Sequence, residues 1–168
     1  EHAQIVTLED IERFAALDII ASVQPTHATS DKNMAEDRVG AERIKGAYAW
    51  QRMLDAGVRM AGGSDFPVEK PEMFDGLFAA VTRQSKDGEP QGGWYPDQKL
   101  NREQTLAVLS LWAADSVGQA DRLGSLETGK YADFIVLDRD YFEIPDDQIW
   151  QIQVRQTWVA GKPVFTAQ

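Results

Sequence analysis

The sequence predicts an α/β fold in which short parallel strands alternate with helices, followed by a patch of antiparallel β-structure. Three observations carry this. Two short apolar runs, "IIASVQP" at residues 19–25 and "VRMAGGSD" at residues 58–65, are strand-length and bounded by turn residues. Helical periodicity lies before, between and after them, and helix–strand–helix–strand–helix is the order of a parallel sheet or barrel. After Gly124 the pattern changes to short runs with alternating faces.

Taken in order, Thr7 precedes "LEDIERFAALD" with Asp10 three residues on, a capping pattern, and Leu8, Ile11, Phe14, Ala15 and Leu17 recur at helical spacing. The run at 19–25 reads as a buried strand stopped by Pro25. Residues 31–56 read as helix in two pieces divided near Gly40, with Gly57 as the stop. A third helix is expected over 72–85, a long loop containing Trp94 and Tyr95 over 86–99, and a helix over 101–117 capped by Gln104. "YADFIVLD" and "IWQIQVRQTWVAGKPVF" then read as strands with a hairpin at Gly161-Lys162. The expected division is residues 1–121 for the α/β part and 122–168 for the β part, the latter too small to stand alone.

Composition narrows the function classes. The 168 residues are 43% hydrophobic, enough for one domain with a core. Acidic residues outnumber basic ones 27 to 17 and no basic run occurs, so neither nucleic acid nor an anionic membrane surface is an expected partner. The absence of cysteine excludes a disulfide scaffold and thiolate metal ligation. No apolar run reaches the roughly 18 residues of a bilayer span. The expectation is a soluble protein, with the cytoplasm favoured over export. The chain opens on "EHAQ", without Met or leader, as though cut from a longer polypeptide.

The residues with chemistry are few. His2 and His27, the two histidines, and Asp65 each fall at a predicted strand end, if "EHAQ" closes a strand whose body lies outside this chain. In parallel α/β folds ligands gather at those ends. A lone histidine is more often structural than a ligand, and Asp65 after Gly-Gly-Ser equally suits a cap or turn. Two histidines and an aspartate are too few for a closed zinc site, though they suit part of an open one. The five tryptophans, Trp50, Trp94, Trp112, Trp150 and Trp158, are expected in packing roles. Small residues at Gly62 and Gly63 would let the strand end approach a metal, Pro67 would turn the chain away, and Glu69 is left as a loop residue or a supporting partner of the site.

Together "EHAQ", "ASVQPTHATSD", "GSDFPVE", "GWYP" and above all "LGSLETGKYADFIVLDRD" with the closing "TWVAGKPVF" resemble the C-terminal part of the amidohydrolase superfamily, in the branch of YtcJ-like proteins and N-substituted formamide deformylase. The resemblance spans essentially the whole chain and about the final third of such an enzyme.

That resemblance implies the end of a (β/α)8 TIM-like barrel, with residues 1–121 supplying the end of strand six and strands seven and eight, and residues 122–168 returning to a small β-sandwich. It implies a divalent metal, zinc above all, as one or two ions. His2 matches the sixth-strand metal ligand. Asp65 matches the eighth-strand aspartate that binds metal and takes the proton of the hydrolytic water, and His27 matches a position near the substrate. The implied reaction is hydrolysis of a C–N bond in an amide or formamide-type small molecule by metal-activated water. The His-x-His pair, the bridging lysine and the fifth-strand histidine of the family have no counterpart here, and Leu111-Trp112 departs from the threonine many relatives place before the pair Ala113-Ala114. The expected partner is therefore the N-terminal part of the barrel, without which the chain would be inactive and expose apolar cut edges. The alternative is a noncatalytic binding or assembly domain that keeps the fold and covers its edges with a second copy, as a homodimer.

Overall fold

The computed structural model describes all 168 residues. Helix α1 (Leu8–Ala16) starts where the capping pattern places it. The Thr7 hydroxyl accepts from the Asp10 amide at 3.2 Å and donates to the Asp10 carboxylate at 2.9 Å, so the aspartate closes the cap through the hydroxyl. Ile11 turns this helix toward the core.

Strand β1 (Ala21–Val23) pairs in parallel with β2 (Met60–Gly62), Ala21 opposite Met60 and Val23 opposite Gly62. β1 ends before Pro25 as the sequence predicts, and Pro25 itself opens a helix, α2 (Pro25–Asp31). Proline suits that position because its fixed φ is already helical and the N–H it lacks has no intrahelical acceptor in the first turn. Helix α3 (Ala35–Arg43) is interrupted at Gly40, whose φ of 80° is non-helical, and a 3-10 turn (Ile44–Gly46) leads to α4 (Trp50–Asp55), which ends at Gly57 with φ 81°. The division at Gly40 and the stop at Gly57 are thus where the glycines put them.

Helix α5 (Met73–Thr82) follows β2, and the loop over 86–99 contains a single 3-10 turn at Pro96–Gln98. The expected helix over 101–117 is two helices, α6 (Arg102–Val108) and α7 (Leu111–Ser116), α6 carrying the full capping box of Asn101 and Gln104. Its end packs against the end of β2. A Cβ at Gly62 would lie 2.6 Å from Val108 Cγ1 and 2.8 Å from Leu109 Cδ2. Gly62 therefore makes room for α6, and Gly63 faces open space.

The C-terminal strands form an antiparallel sheet in the order β3 (Phe134–Leu137), β4 (Val154–Val159), β5 (Lys162–Thr166). Its hairpin turns on Ala160 and Gly161, with φ 49° and 72°, and Lys162 already pairs with Val159, one residue earlier than expected. Between β3 and β4 the chain folds back onto α5. Tyr141, Ile149 and Ile152 bury against Leu77, Phe78 and Val81 in a second core beside the main one, which surrounds Trp50, Met53, Val23 and Met60. Large apolar side chains remain exposed at Leu8, Leu17 and Ile19, and β5 is exposed along its length. The tryptophans pack as expected: Trp50 in the main core with Trp94 and Trp112 against it, Trp150 against the second, and Trp158 stacked on Phe134.

One charge sits inside the main core. Arg83 ends α5 in the left-handed region, φ 55°, with its side chain 0% exposed. Its Nε donates to the Trp94 carbonyl at 2.7 Å and Nη1 to the Tyr48 carbonyl at 2.9 Å, while the guanidinium lies over the rings of Trp50 and Trp94, 4.7 and 5.1 Å from their centroids. Burial lowers its pKa to about 10, which still leaves it cationic at neutral pH. The planar fork ties the loop bearing Trp94 to the segment bearing Tyr48, a geometry that lysine cannot reproduce. Arg83→Leu leaves the buried Tyr48 carbonyl and the part-buried Trp94 carbonyl unpaired and is expected to lower unfolding free energy by about 2 to 4 kcal/mol in urea denaturation. Arg83→Lys should recover less than half of that, and a neutral result for Arg83→Leu would remove the fork from the account.

Candidate functional site

Three side chains from three separate segments meet at the end of the parallel pair. Asp65 lies just beyond β2, in the left-handed region with φ 61°, a conformation aspartate tolerates better than most residues. Its carbonyl accepts from the Val68 amide at 2.8 Å, closing a turn through Phe66 and Pro67 that leads the chain away as Pro67 suggested. His27 lies in the first turn of α2 and is 6% exposed, so it belongs to a helix rather than to a strand-end loop. His2 lies in an irregular segment with φ 67°. Residues 1–4 form no strand; the first pairing is an isolated bridge from Ile5 to Ala47, and Glu1 accepts from the Ser22 hydroxyl at 3.0 Å, which sets the segment alongside β1.

Both histidines face the same oxygen. His2 Nε2 is 3.2 Å and His27 Nε2 3.5 Å from Asp65 Oδ2, and the two rings stack with centroids 5.9 Å apart. Glu69 stands to one side, its carboxylate accepting from the Ser30 hydroxyl. Phe66 and Val68, in the turn that follows Asp65, have exposed side chains.

The donors fit part of a divalent-metal site. Two ligands about 2.0–2.1 Å from a tetrahedral zinc stand roughly 3.3 Å apart, and the His2 Nε2–Asp65 Oδ2 separation of 3.2 Å matches such an edge. Nitrogen and carboxylate oxygen are also the donors that zinc takes in open sites. No group of three or more His, Asp or Glu side chains in this chain is arranged to hold a metal ion. His2 and Asp65 offer two donors at ligand spacing, short of a complete shell.

Behind the histidines is a hydrogen-bonded set that sequence reading missed. Gln4 Nε2 lies 3.0 Å from His27 Nδ1 and 3.5 Å from Asp31 Oδ2, and Asp31 also accepts from the Tyr48 hydroxyl. Burial first, and the Asp31 carboxylate second, hold that hydroxyl well above the usual phenol range, so Tyr48 stays a donor. Asp31 had a legible signal, since it stands four residues after His27 and shares its helix face. Gln4 and Tyr48 had none, because their positions depend on the pairing of residues 4–6 with 46–48.

Comparison with known proteins shows the family. Residues 1–165 match the model of the family described as "Amidohydrolase family". The chain is 30% identical over 164 residues to the YtcJ protein of Bacillus subtilis, covering 98% of this chain and 31% of that protein. It is 33% identical over 109 residues to N-substituted formamide deformylase of Arthrobacter pascens, covering 65% of this chain and 20% of that enzyme. Among solved structures, an uncharacterized metal-dependent hydrolase from Pyrococcus horikoshii superposes with a TM-score of 0.75 at 30% identity, over 86% of this chain and 29% of that one. The chain thus spans about a third or less of the length of these relatives. A match along nearly its whole length, together with histidines gathered on an aspartate beyond a parallel strand, makes the chain a member of the amidohydrolase family.

Proposed function

We propose that this chain supplies the C-terminal part of a metal-dependent hydrolase that cleaves the C–N bond of an amide or formamide-type small molecule, with Asp65 as the base. The observation that carries the reading is the convergence of His2 and His27 on one oxygen of Asp65. In this reading β1 and β2 are the seventh and eighth strands of a (β/α)8 barrel. Residues 1–121 belong to that barrel and 122–168 return to the small β-sandwich. The catalytic unit includes further polypeptide carrying the remaining barrel strands and ligands, because only two ligands of an open site meet here and the relatives are about three times longer.

His2 Nε2 and Asp65 would hold the divalent ion, zinc being the expected one, and that ion supplies Lewis acidity that brings the pKa of water toward neutrality and polarises a carbonyl. The rest falls to side chains. Both histidines address Oδ2 of Asp65, which leaves Oδ1 as the free acceptor for the proton that water must lose. The same carboxyl then returns that proton to the departing nitrogen, which cannot leave as an anion. His27, nearly buried beside Asp65, contacts the substrate, and the exposed side chains of Phe66 and Val68 offer apolar surface to an N-substituent.

A noncatalytic assembly domain that covers its edges with a second copy is the competing reading, favoured by the exposed side chains of Leu8, Leu17 and Ile19. Metal content and activity separate the two. With the whole protein and a panel of N-substituted formamides and simple amides, Asp65→Asn is expected to lower kcat on the order of 10²- to 10⁴-fold while leaving the circular dichroism spectrum and unfolding midpoint within error. His2→Ala is expected to reduce zinc retained per chain after dialysis. Zinc-free protein that hydrolyses none of the panel and sediments as a dimer would overturn the hydrolase reading in favour of the assembly domain.

A further inference from the structure

The arrangement behind His27 determines more than its position. Gln4 Nε2 faces two partners, His27 Nδ1 at 3.0 Å and Asp31 Oδ2 at 3.5 Å. An ionised carboxylate only accepts hydrogen bonds, so the Gln4 atom between them must be the amide nitrogen and not its oxygen. That nitrogen has two protons, one available for each partner. His27 Nδ1 must accept, which places the proton of the neutral ring on Nε2. Asp31 is itself held in place, because Tyr48 donates its hydroxyl to the same oxygen and its backbone amide to the Gln4 carbonyl at 2.7 Å.

His27 Nε2 is buried and has no hydrogen-bond partner, and Asp65 Oδ2 lies 3.5 Å from it. A buried donor left unpaired costs about 1 to 3 kcal/mol, and such groups mark places where something else is meant to bind.

We infer that Gln4, Asp31 and Tyr48 are positioning residues that fix His27 as the Nε2–H tautomer, so that His27 is a hydrogen-bond donor toward an oxygen at the Asp65 site and not a metal ligand. A nitrogen that carries a proton has no lone pair for a metal, whereas ligation through Nε2 would require the proton on Nδ1, facing the N–H of Gln4. The oxygen that fits this donor is the carbonyl oxygen of the substrate, which gains negative charge when water adds. An amine or ammonium at that point would meet a second donor. The inference rests on the hydrolase reading only for the identity of that oxygen; the tautomer follows from the geometry alone.

The test reads the tautomer directly. Long-range ¹H–¹⁵N correlation spectra of the whole protein, ¹⁵N-labelled at histidine and recorded without substrate at a pH where the rings are neutral, distinguish protonated from bare ring nitrogens, and the signal that His27→Gln removes is assigned to His27. The expected result is a protonated Nε2 and a bare Nδ1 for His27. Gln4→Glu replaces the donor by an acceptor and should move the proton to Nδ1, and Tyr48→Phe should leave a mixture of the two forms. If Gln4→Glu does not fold, Gln4→Leu removes the donor without adding charge and should also give a mixture. A His27 signal with Nδ1 protonated in the unaltered protein, or a tautomer unmoved by every folded variant, overturns the inference. Because no substrate is present, a protein that shows the expected tautomer and hydrolyses nothing would overturn the hydrolase reading and leave this one standing.

Discussion

Tyr48 is held through all three of its polar groups, and the rest of the site depends on that. Its carbonyl accepts from Arg83, its amide donates to the Gln4 carbonyl, and its hydroxyl donates to Asp31. Its φ of 49° is a left-handed conformation that a bulky residue adopts only where its surroundings over-determine it, at a cost of about 1 to 3 kcal/mol. Here three hydrogen bonds and near-complete burial do so. Through the amide Tyr48 fixes the segment that carries His2; through the hydroxyl it fixes the helix that carries His27. The buried Arg83, clasped between Trp50 and Trp94, anchors the opposite side.

Asp65 is placed by different means. Parallel pairing of β1 with β2 brings Val23 opposite Gly62, and the Gly63 amide donates to the Val23 carbonyl at 3.1 Å, so the chain leaves β2 beside the start of α2. The left-handed turn at Asp65 then directs its carboxylate toward His27. Gly62 matters because α6 closes over the strand end, and a side chain there would push Val108 and Leu109 away. The strand end that carries Asp65 is thus set by close packing, and His27 is held by hydrogen bonds.

Much of this was legible in the sequence because it is local. The cap at Thr7, the break at Gly40, the stop at Gly57 and the capping box at Asn101 each follow from a residue's own backbone preference. The family was legible because its motifs are contiguous. What escaped was non-local or ambiguous in kind. Pro25 both stops strands and starts helices, and only the immediate turn into α2 shows that it does both here. The helix over 101–117 breaks at Ser110 because the end of α6 must meet β2, a demand made 48 residues away at Gly62. Nothing in "AAVTRQS" says that two tryptophans enclose Arg83. Of the site, the sequence named His2, His27 and Asp65, whereas Gln4 and Tyr48 became visible only with the bridge between Ile5 and Ala47.

The central claim is a division of labour around Asp65, with His2 and the carboxylate addressing a metal and His27 addressing substrate. Anomalous diffraction from crystals of the whole protein, with data on both sides of the zinc absorption edge, tests it most directly. The account predicts a zinc peak bonded to His2 Nε2 and an oxygen of Asp65, with His27 Nε2 outside bonding distance and Gln4 still on Nδ1. A zinc ion bonded to His27 Nε2, or no zinc at Asp65 in protein that hydrolyses its substrate, would contradict it.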